Sequence, residues 1–323
     1  MRTLQNKIFL LLSLFLFISA CVPAQTAELA TPTEPVFVTS PITDTPAVPT
    51  ETPLPTNTPL PALERAKYTL NTNIDYDAHT VSVDQIIQYP NLTGNQLSTL
   101  VLAITPNLWD GSFSLTSITM DGEPVTAYTL NGQRLDISLA SLLPANGVTE
   151  IKLQYTLTLP FAEQEDPSIS RPRIYGYTSR QINLVNWYPF VVPNINGEWI
   201  LHDPWFYGEH LVYDSADYEI NLRFSEPTTA PIVAASGVPE VQSDGSTRYT
   251  ITSARTFALS ASREFQTSST QLGDISLTSY YFAFNERGGQ AALQASAQAL
   301  QVFSARYGAY PHKSLAIVMG DFN

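Results

Sequence analysis

Short runs of alternating apolar and polar residues fill the chain from about residue 67 onward. Residues 68–74 and 80–86 alternate with a period of two on either side of residues 75–79, which predicts a strand, a turn and a returning strand. More runs rich in Val, Ile, Leu, Thr or Tyr follow at residues 99–104, 114–120, 123–129, 134–138 and 149–159. Regularly spaced short strands without helical stretches between them predict an antiparallel sandwich or a saddle-shaped sheet.

An aromatic stretch, residues 186–224, follows these strands. It holds three of the four tryptophans, Trp187, Trp199 and Trp205, among prolines, tyrosines and acidic residues. Side chains of this size bury large areas, so we expect the stretch in or beside the main core. Before it, the polar residues 161–180 predict a surface loop. After it, strands are predicted at residues 218–224, 232–235, 248–251 and 256–261, which brings the β domain, residues 67–265, to its end.

The pattern changes in the last part of the chain, residues 266–323. Residues 274–281 predict a strand, and the Ala- and Gln-rich residues 289–307 predict a helix that ends at Gly308 and Pro311. One face of this helix carries Leu293, Ala297, Leu300, Phe303 and Tyr307. The apolar residues 315–319 then predict a buried strand. Because a strand, a helix and a strand are too few for a domain, we expect them to be the truncated start of a second domain.

The first residues have the pattern of a signal peptide, residues 1–20. Arg2 and Lys7 precede an apolar segment, residues 8–18, which is too short for a membrane span. The ending Ile18-Ser19-Ala20-Cys21 resembles the bacterial lipobox, in which the cysteine is lipidated and the leader is removed. We therefore expect lipidation of Cys21 and an extracytoplasmic protein anchored to the bacterial cell membrane. The alternative is a secretory leader followed by an incidental cysteine.

Residues 21–66 predict a lipidated cysteine followed by a stalk. Of the forty residues 22–61, ten are proline and ten are threonine. Such a segment has too little apolar area to offset its ordering entropy, and proline favours extended, solvated backbone. Cys21 is the only cysteine, so it has no disulfide partner within the chain.

The net charge excludes one class of partner. The chain has a formal charge of -13, from 16 basic and 29 acidic residues, and 14% of its residues are charged. Loss of Arg2 and Lys7 with the leader would leave 14 basic residues and a charge of -15. This balance repels phosphate backbones, so nucleic acid is not an expected partner.

Histidines and carboxylates form two candidate groups for chemistry. His202, Asp203, Glu209 and His210 lie close in sequence and are competent zinc ligand types, but their spacing matches no helical site and favours a polar loop. Asp214, Asp217 and Glu219 could be paired carboxylates for glycoside hydrolysis; the simpler interpretation is a solvated strand edge. His79 and His312 are single histidines, expected at a turn or on the surface. We therefore predict neither catalytic nor metal-binding residues within this chain.

Several short motifs, in order, resemble the aminopeptidase N family of zinc metallopeptidases. Their positions are Trp187-Tyr188-Pro189, Asp217-Tyr218-Glu219-Ile220, Val233-Ala234-Ala235-Ser236-Gly237, Arg255-Thr256-Phe257-Ala258 and Tyr307-Gly308-Ala309-Tyr310-Pro311. The resemblance covers roughly residues 67–323. It implies an antiparallel β-sandwich or saddle domain followed by the truncated start, strand-helix-strand, of a thermolysin-like α/β peptidase domain, with zinc as cofactor and a peptide as substrate.

The sequence also departs from that family. It contains neither H-E-x-x-H, which supplies zinc ligands and the general base, nor the family's Gly-x-Met-Glu motif. The resemblance implies that both would follow Asn323, so we expect this chain to be inactive alone. Phe190-Val191-Val192-Pro193 replaces the family's Phe-Asp-Glu-Pro, which indicates a divergent branch. The alternative function is a noncatalytic surface lipoprotein whose β domain binds peptide or carbohydrate.

Overall fold

The computed structural model describes residues 65–162, 174–204 and 209–322. The predicted leader, Cys21 and the Pro/Thr-rich stalk up to residue 64 lie outside the described residues, as does Trp205. Within the described part, no helix is both long and apolar enough to cross a membrane.

Most of the first eight strands overlap the runs from which the sequence predicts strands. They are β1 (Lys67–Asp75), β2 (Thr80–Pro90), β3 (Leu97–Ala103), β4 (Phe113–Met120), β5 (Glu123–Pro124), β6 (Tyr128–Asn131), β7 (Arg134–Leu143) and β8 (Val148–Thr158). The single strand predicted at residues 123–129 is wrong. The chain leaves β5 for a different sheet before β6 begins, and Pro124 cannot donate a ladder hydrogen bond.

Ten further strands complete the β domain. They are β9 (Gly176–Tyr177), β10 (Ile182–Leu184), β11 (Phe190–Val191), β12 (Asn194–Ile195), β13 (Glu198–Trp199), β14 (Ala216–Phe224), β15 (Ile232–Ala235), β16 (Val238–Val241), β17 (Thr247–Ala254) and β18 (Leu259–Ser262). The strands predicted at β14, β15, β17 and β18 are confirmed. The segments β9 to β13 are too short to give an alternating pattern, and β16 was also missed.

Three sheets contribute residues to the main core. The larger sheet has eight strands in the order β16-β17-β14-β1-β2-β8-β4-β5, and two four-stranded sheets have the orders β15-β18-β10-β9 and β11-β3-β7-β6. Neighbouring strands are antiparallel except for β1 and β14, which pair in parallel. The inward residues of the large sheet, such as Leu70, Ile74 and Ile220, are buried in one continuous cluster that also contains Trp187 and Tyr188. The predicted core position of the aromatic stretch is confirmed for these two residues.

The last elements are β19 (Phe265–Leu272), β20 (Ile275–Phe282), the helix α1 (Glu286–Tyr307) and β21 (Ser314–Val318). β19 and β20 form an antiparallel hairpin, and β21 pairs in parallel with β20. A second, smaller core of Leu277, Leu293 and Leu300 joins the helix to this sheet. The predicted strand, helix and strand are confirmed, and the hairpin partner β19 was missed.

The far half of the helical face and the last strand are more exposed than the sequence suggests. Phe303 and Tyr307 are 57% and 80% exposed, although they share a face with Leu293 and Leu300. β21 was predicted to be buried, but it is half-buried and Val318 is 38% exposed. The physical reason is that β21 is an edge strand with β20 as its only partner among the described residues.

Candidate functional site

Three buried tyrosines lie at the centre of the β domain. Tyr68 of β1 stacks on Tyr218 of β14 with ring centroids 5.3 Å apart, and Tyr188 packs against both rings at 6.0 and 5.8 Å. Tyr68 and Tyr218 face each other because they are register partners in the parallel β1 and β14 pair. We call Tyr68, Tyr188 and Tyr218 the tyrosine cluster.

Each hydroxyl of the tyrosine cluster is bonded to main chain. The bonds run from Val191 N to Tyr68 Oη (3.2 Å), from Phe257 N to Tyr188 Oη (3.0 Å) and from Tyr218 Oη to Arg255 O (3.1 Å). Burial raises the pKa of all three phenols above the ordinary value, so they remain neutral and serve as fixed hydrogen-bonding groups rather than acids.

The residues around Trp187 are attached to the large sheet by a buried polar pair. Gln85 of β2 donates from Nε2 to Pro189 O (2.6 Å) and accepts from Tyr155 Oη (2.8 Å). Trp187 packs edge-on against Tyr188 at 5.5 Å, and its buried indole nitrogen has no hydrogen-bond partner in the described ranges. The segment is thereby fixed in the core, with the chain turning at Asn186, where φ is 53°.

A cavity of about 400 Å³ opens beside the tyrosine cluster. Five aromatic rings line it, together with one carboxylate, Asp214; the rings are Tyr68, Tyr89, Phe190, Tyr213 and Tyr218. Phe190 and Tyr213 stack with centroids 4.5 Å apart. Desolvation raises the pKa of Asp214 above its ordinary value. We call this the aromatic cavity.

A second set of contacts joins the β domain to the end of the described chain. Gln181 accepts a hydrogen bond from Asp321 N (2.7 Å), and Thr178 donates to the Asp321 carboxylate (2.7 Å). Arg180 forms an ion pair with the same carboxylate at 3.1 Å. Its guanidinium also lies 5.2 Å from the ring centroid of Phe284. We call these contacts the junction.

The candidate zinc residues are not brought together. His202 and Asp203 are exposed on the segment that follows β13, and the main-chain carbonyl of His202 accepts a hydrogen bond from Gln133 Nε2 (2.8 Å). Glu209 and His210 follow residues 205–208, which lie outside the described residues. Across the described ranges, no three His, Cys, Asp or Glu side chains are placed to hold a metal.

The three candidate carboxylates also separate. Asp217 and Glu219 lie on the outer face of β14, where Arg65 and Lys67 each pair with one of them at 3.5 Å. Asp214 precedes the strand and lines the aromatic cavity instead. The three carboxylates therefore do not face one another across a single cavity, as glycoside hydrolysis would require.

The two single histidines have structural surroundings. His79 lies in the turn between β1 and β2 at a φ of 53°, and its ring stacks on Tyr177 at 3.5 Å. Burial lowers the pKa of His79, although Asp77 and Asp75 oppose this. His312 packs edge-on against Tyr310 at 5.4 Å, between α1 and β21.

Sequence reasoning missed Gln85 and the junction. A signal for Gln85 was present, because the period of two places it on the same inward face as Val83 and Ile87, where a polar side chain needs an internal partner. No such signal existed for the junction, since Gln181 and Asp321 are 140 residues apart.

Comparison with known proteins gives a likeness in structure only. No family model matches the sequence, and no curated protein matches it. A crystal structure of an M1 zinc metallopeptidase from Deinococcus radiodurans, bound to a Tyr-Ser-Ala substrate, superposes with a TM-score of 0.53 at 18% identity. A two-domain M1 zinc metallopeptidase bound to L-tryptophan gives the same values. Both matches cover 78% of this chain and 55% of the solved chain, so this chain spans about half of their length. The likeness shows the fold, a mainly β architecture that matches the N-terminal β domain of an M1 peptidase.

Proposed function

We propose that this chain is the N-terminal part of a surface-anchored zinc metallopeptidase that hydrolyses peptides. The observation that carries the proposal is the M1-type fold, with a match that covers 78% of the chain. A Tyr-Ser-Ala substrate is bound in one of the similar structures, so a short peptide with a free amino end is the substrate class we propose.

Zinc would be held by sequence beyond the residues described. A zinc ion in such an enzyme activates water and polarises the scissile carbonyl. The described residues do not fit this role, since they form no group of three metal-ligating side chains, and we derive no step through the metal. We propose that this chain supports the substrate cleft and forms part of its wall.

Exposed apolar side chains around α1 and β21 support a larger second domain. They are Phe284, Val302, Phe303, Tyr307 and Val318. The open edge of β21 adds unpaired main-chain groups to the same region. Water-exposed apolar area of this kind is normally covered by a partner surface. We propose that the remaining strands and helices of the peptidase domain cover it.

The test is to sequence the coding DNA beyond Asn323 and to express the complete product. We expect an open frame with H-E-x-x-H and a later glutamate, one bound zinc and hydrolysis of Tyr-Ser-Ala. The 323-residue chain is the matched control and should be inactive. A stop codon after Asn323, together with a native mass that matches the short chain, would overturn the peptidase proposal.

Attachment to the bacterial cell membrane through Cys21 is a separate proposal, supported by the leader and the lipobox-like ending. We expect Cys21→Ser to abolish labelling by radioactive fatty acid and to release the protein from the membrane fraction. Since Cys21 is the only cysteine, no other thiol can account for the label. Retention of label in the variant would contradict lipidation at this residue.

A second candidate function, noncatalytic binding by the β domain, is favoured by the aromatic cavity. A surface lipoprotein of that kind would need no zinc motif, and its binding would survive in the short chain. Solubility separates the two candidates. A self-sufficient binding protein should be monomeric and unfold cooperatively, whereas exposed peptidase-domain surfaces should cause the short chain to associate.

A further inference from the structure

The aromatic cavity has the size and composition of a small-ligand site. Its volume of about 400 Å³ falls in the range of natural ligand pockets, which are mostly apolar with few polar groups. The lining comes from β1, β2, β11, β12 and β14, and from the segments before β1, after β2 and before β14, the last of which carries Tyr213 and Asp214. No residue of the junction lines the cavity.

The polar groups of the cavity favour the binding of a positively charged ligand. Asp214 is an exposed residue of the cavity lining, and no basic side chain of the described residues forms an ion pair with it. Burial and, secondarily, the negative charge of Asp214 raise the pKa of Tyr89 to about 12. The same charge acts on Tyr68. One carboxylate, Asp214, and the two tyrosines therefore line the same cavity.

One basic residue, Arg65, also lines the cavity. Its guanidinium is directed to Asp217 at 3.5 Å, and Asp217 also accepts a hydrogen bond from Ser253 N (2.9 Å). The charge of Arg65 is thus partly balanced by its own partner. Asp214 remains the unpaired charge of this cavity, within a protein that is acidic overall.

We propose that the aromatic cavity binds an alkylammonium group, with the cation at Asp214 and its alkyl stem against the rings of Phe190 and Tyr213. A cation is attracted both by a carboxylate and by the faces of aromatic rings. Two sources share this chemistry, a lysine side chain of a peptide and a free polyamine. The inference goes beyond the peptidase proposal and does not depend on it.

Isothermal titration calorimetry on the full chain tests the site with three probes. Acetyl-lysine methylamide represents a peptide side chain, spermidine represents a polyamine, and acetyl-norleucine methylamide keeps the alkyl stem without the charge. We expect the norleucine probe to bind at least about tenfold more weakly than the better of the two cations. The cation with the higher affinity identifies the natural source of the alkylammonium group, and binding of either cation supports the proposed site.

Asp214→Asn is the decisive variant, since it keeps the shape of the side chain and removes its charge. We expect about a tenfold loss of cation affinity. Asp110→Asn is the matched control, because Asp110 is exposed and does not line the cavity, and it should leave binding unchanged. Circular dichroism establishes that both variants fold. Equal binding of norleucine, no binding of either cation, or equal loss in both variants would overturn the proposal.

Discussion

Two neighbouring glycines near the start of α1 test how the helix packs on its sheet. Gly289 is buried, and its carbonyl accepts a hydrogen bond from the buried Ser279 hydroxyl at 2.8 Å. A Cβ added there would overlap the Tyr281 ring and lie 2.7 Å from Tyr281 Cβ. A Cβ added at Gly288 would instead meet the exposed Asn285 side chain, 2.5 Å from its Oδ1. That side chain can move away.

These contacts predict opposite effects of the same substitution. Replacing a helical glycine by alanine stabilises a helix by about 1 kcal/mol, so Gly288→Ala should stabilise by up to about that amount. At Gly289, overpacking costs about 1–3 kcal/mol. Displacement of Tyr281 would also break its 2.8 Å hydrogen bond with Ser268, which costs about 1 kcal/mol. After the helix gain is subtracted, Gly289→Ala should destabilise by about 1–3 kcal/mol.

Urea denaturation followed by far-ultraviolet circular dichroism measures both variants, since α1 is the one long helix of the described residues. Gly288→Ala is the matched control, with the same chemical change one position away. If both variants shift the midpoint in the same direction, or if Gly289→Ala stabilises the protein, the close packing of α1 on β20 would be refuted.

Three further predictions concern the β domain and the junction. Tyr188→Phe keeps the ring but removes the acceptor of the buried Phe257 N–H, so the free energy of unfolding measured in urea should fall by about 1–3 kcal/mol. The pKa of Asp214 is raised in the folded protein, so folding favours the protonated carboxyl, and this stabilising contribution is lost as the pH rises through the folded pKa. Asp214→Asn should therefore be more stable than the parent in thermal melts at neutral pH and equal to it in acid. Arg180→Ala removes the partly exposed ion pair with Asp321 and should cost about 1 kcal/mol, less in high salt.

Each of these has a control. Tyr128→Phe changes an exposed tyrosine and should stay within about 0.5 kcal/mol; an equal effect at Tyr188 would argue against the buried hydrogen bond. A stability difference for Asp214→Asn that grows as the solution is acidified would contradict the sign given above. For Arg180→Ala, a loss that high salt leaves unchanged would point to lost packing on Phe284 rather than to charge.

The sequence alone identified most long strands and the orientation of their faces. Alternation with a period of two is a local property, so the bounds of β1 and β8 were predicted to within one residue, whereas β2 extends four residues beyond its predicted end. The same holds for α1, whose buried Leu293 and Leu300 lie on the same helical face. The polar Gln85 at an inward position was also visible in the sequence, although its partner was not.

Only the tertiary structure decided which strands pair and where cavities form. The parallel pairing of β1 with β14 brings Tyr68 onto Tyr218, 150 residues away in sequence, and the aromatic cavity exists because of that register. The candidate zinc residues, although close in sequence, form no metal-binding group within the described ranges, and Asp217 pairs with Arg65 instead of facing Asp214. The physical reason is that periodicity reports the environment of each residue locally, whereas register and cavities depend on contacts between residues distant along the chain.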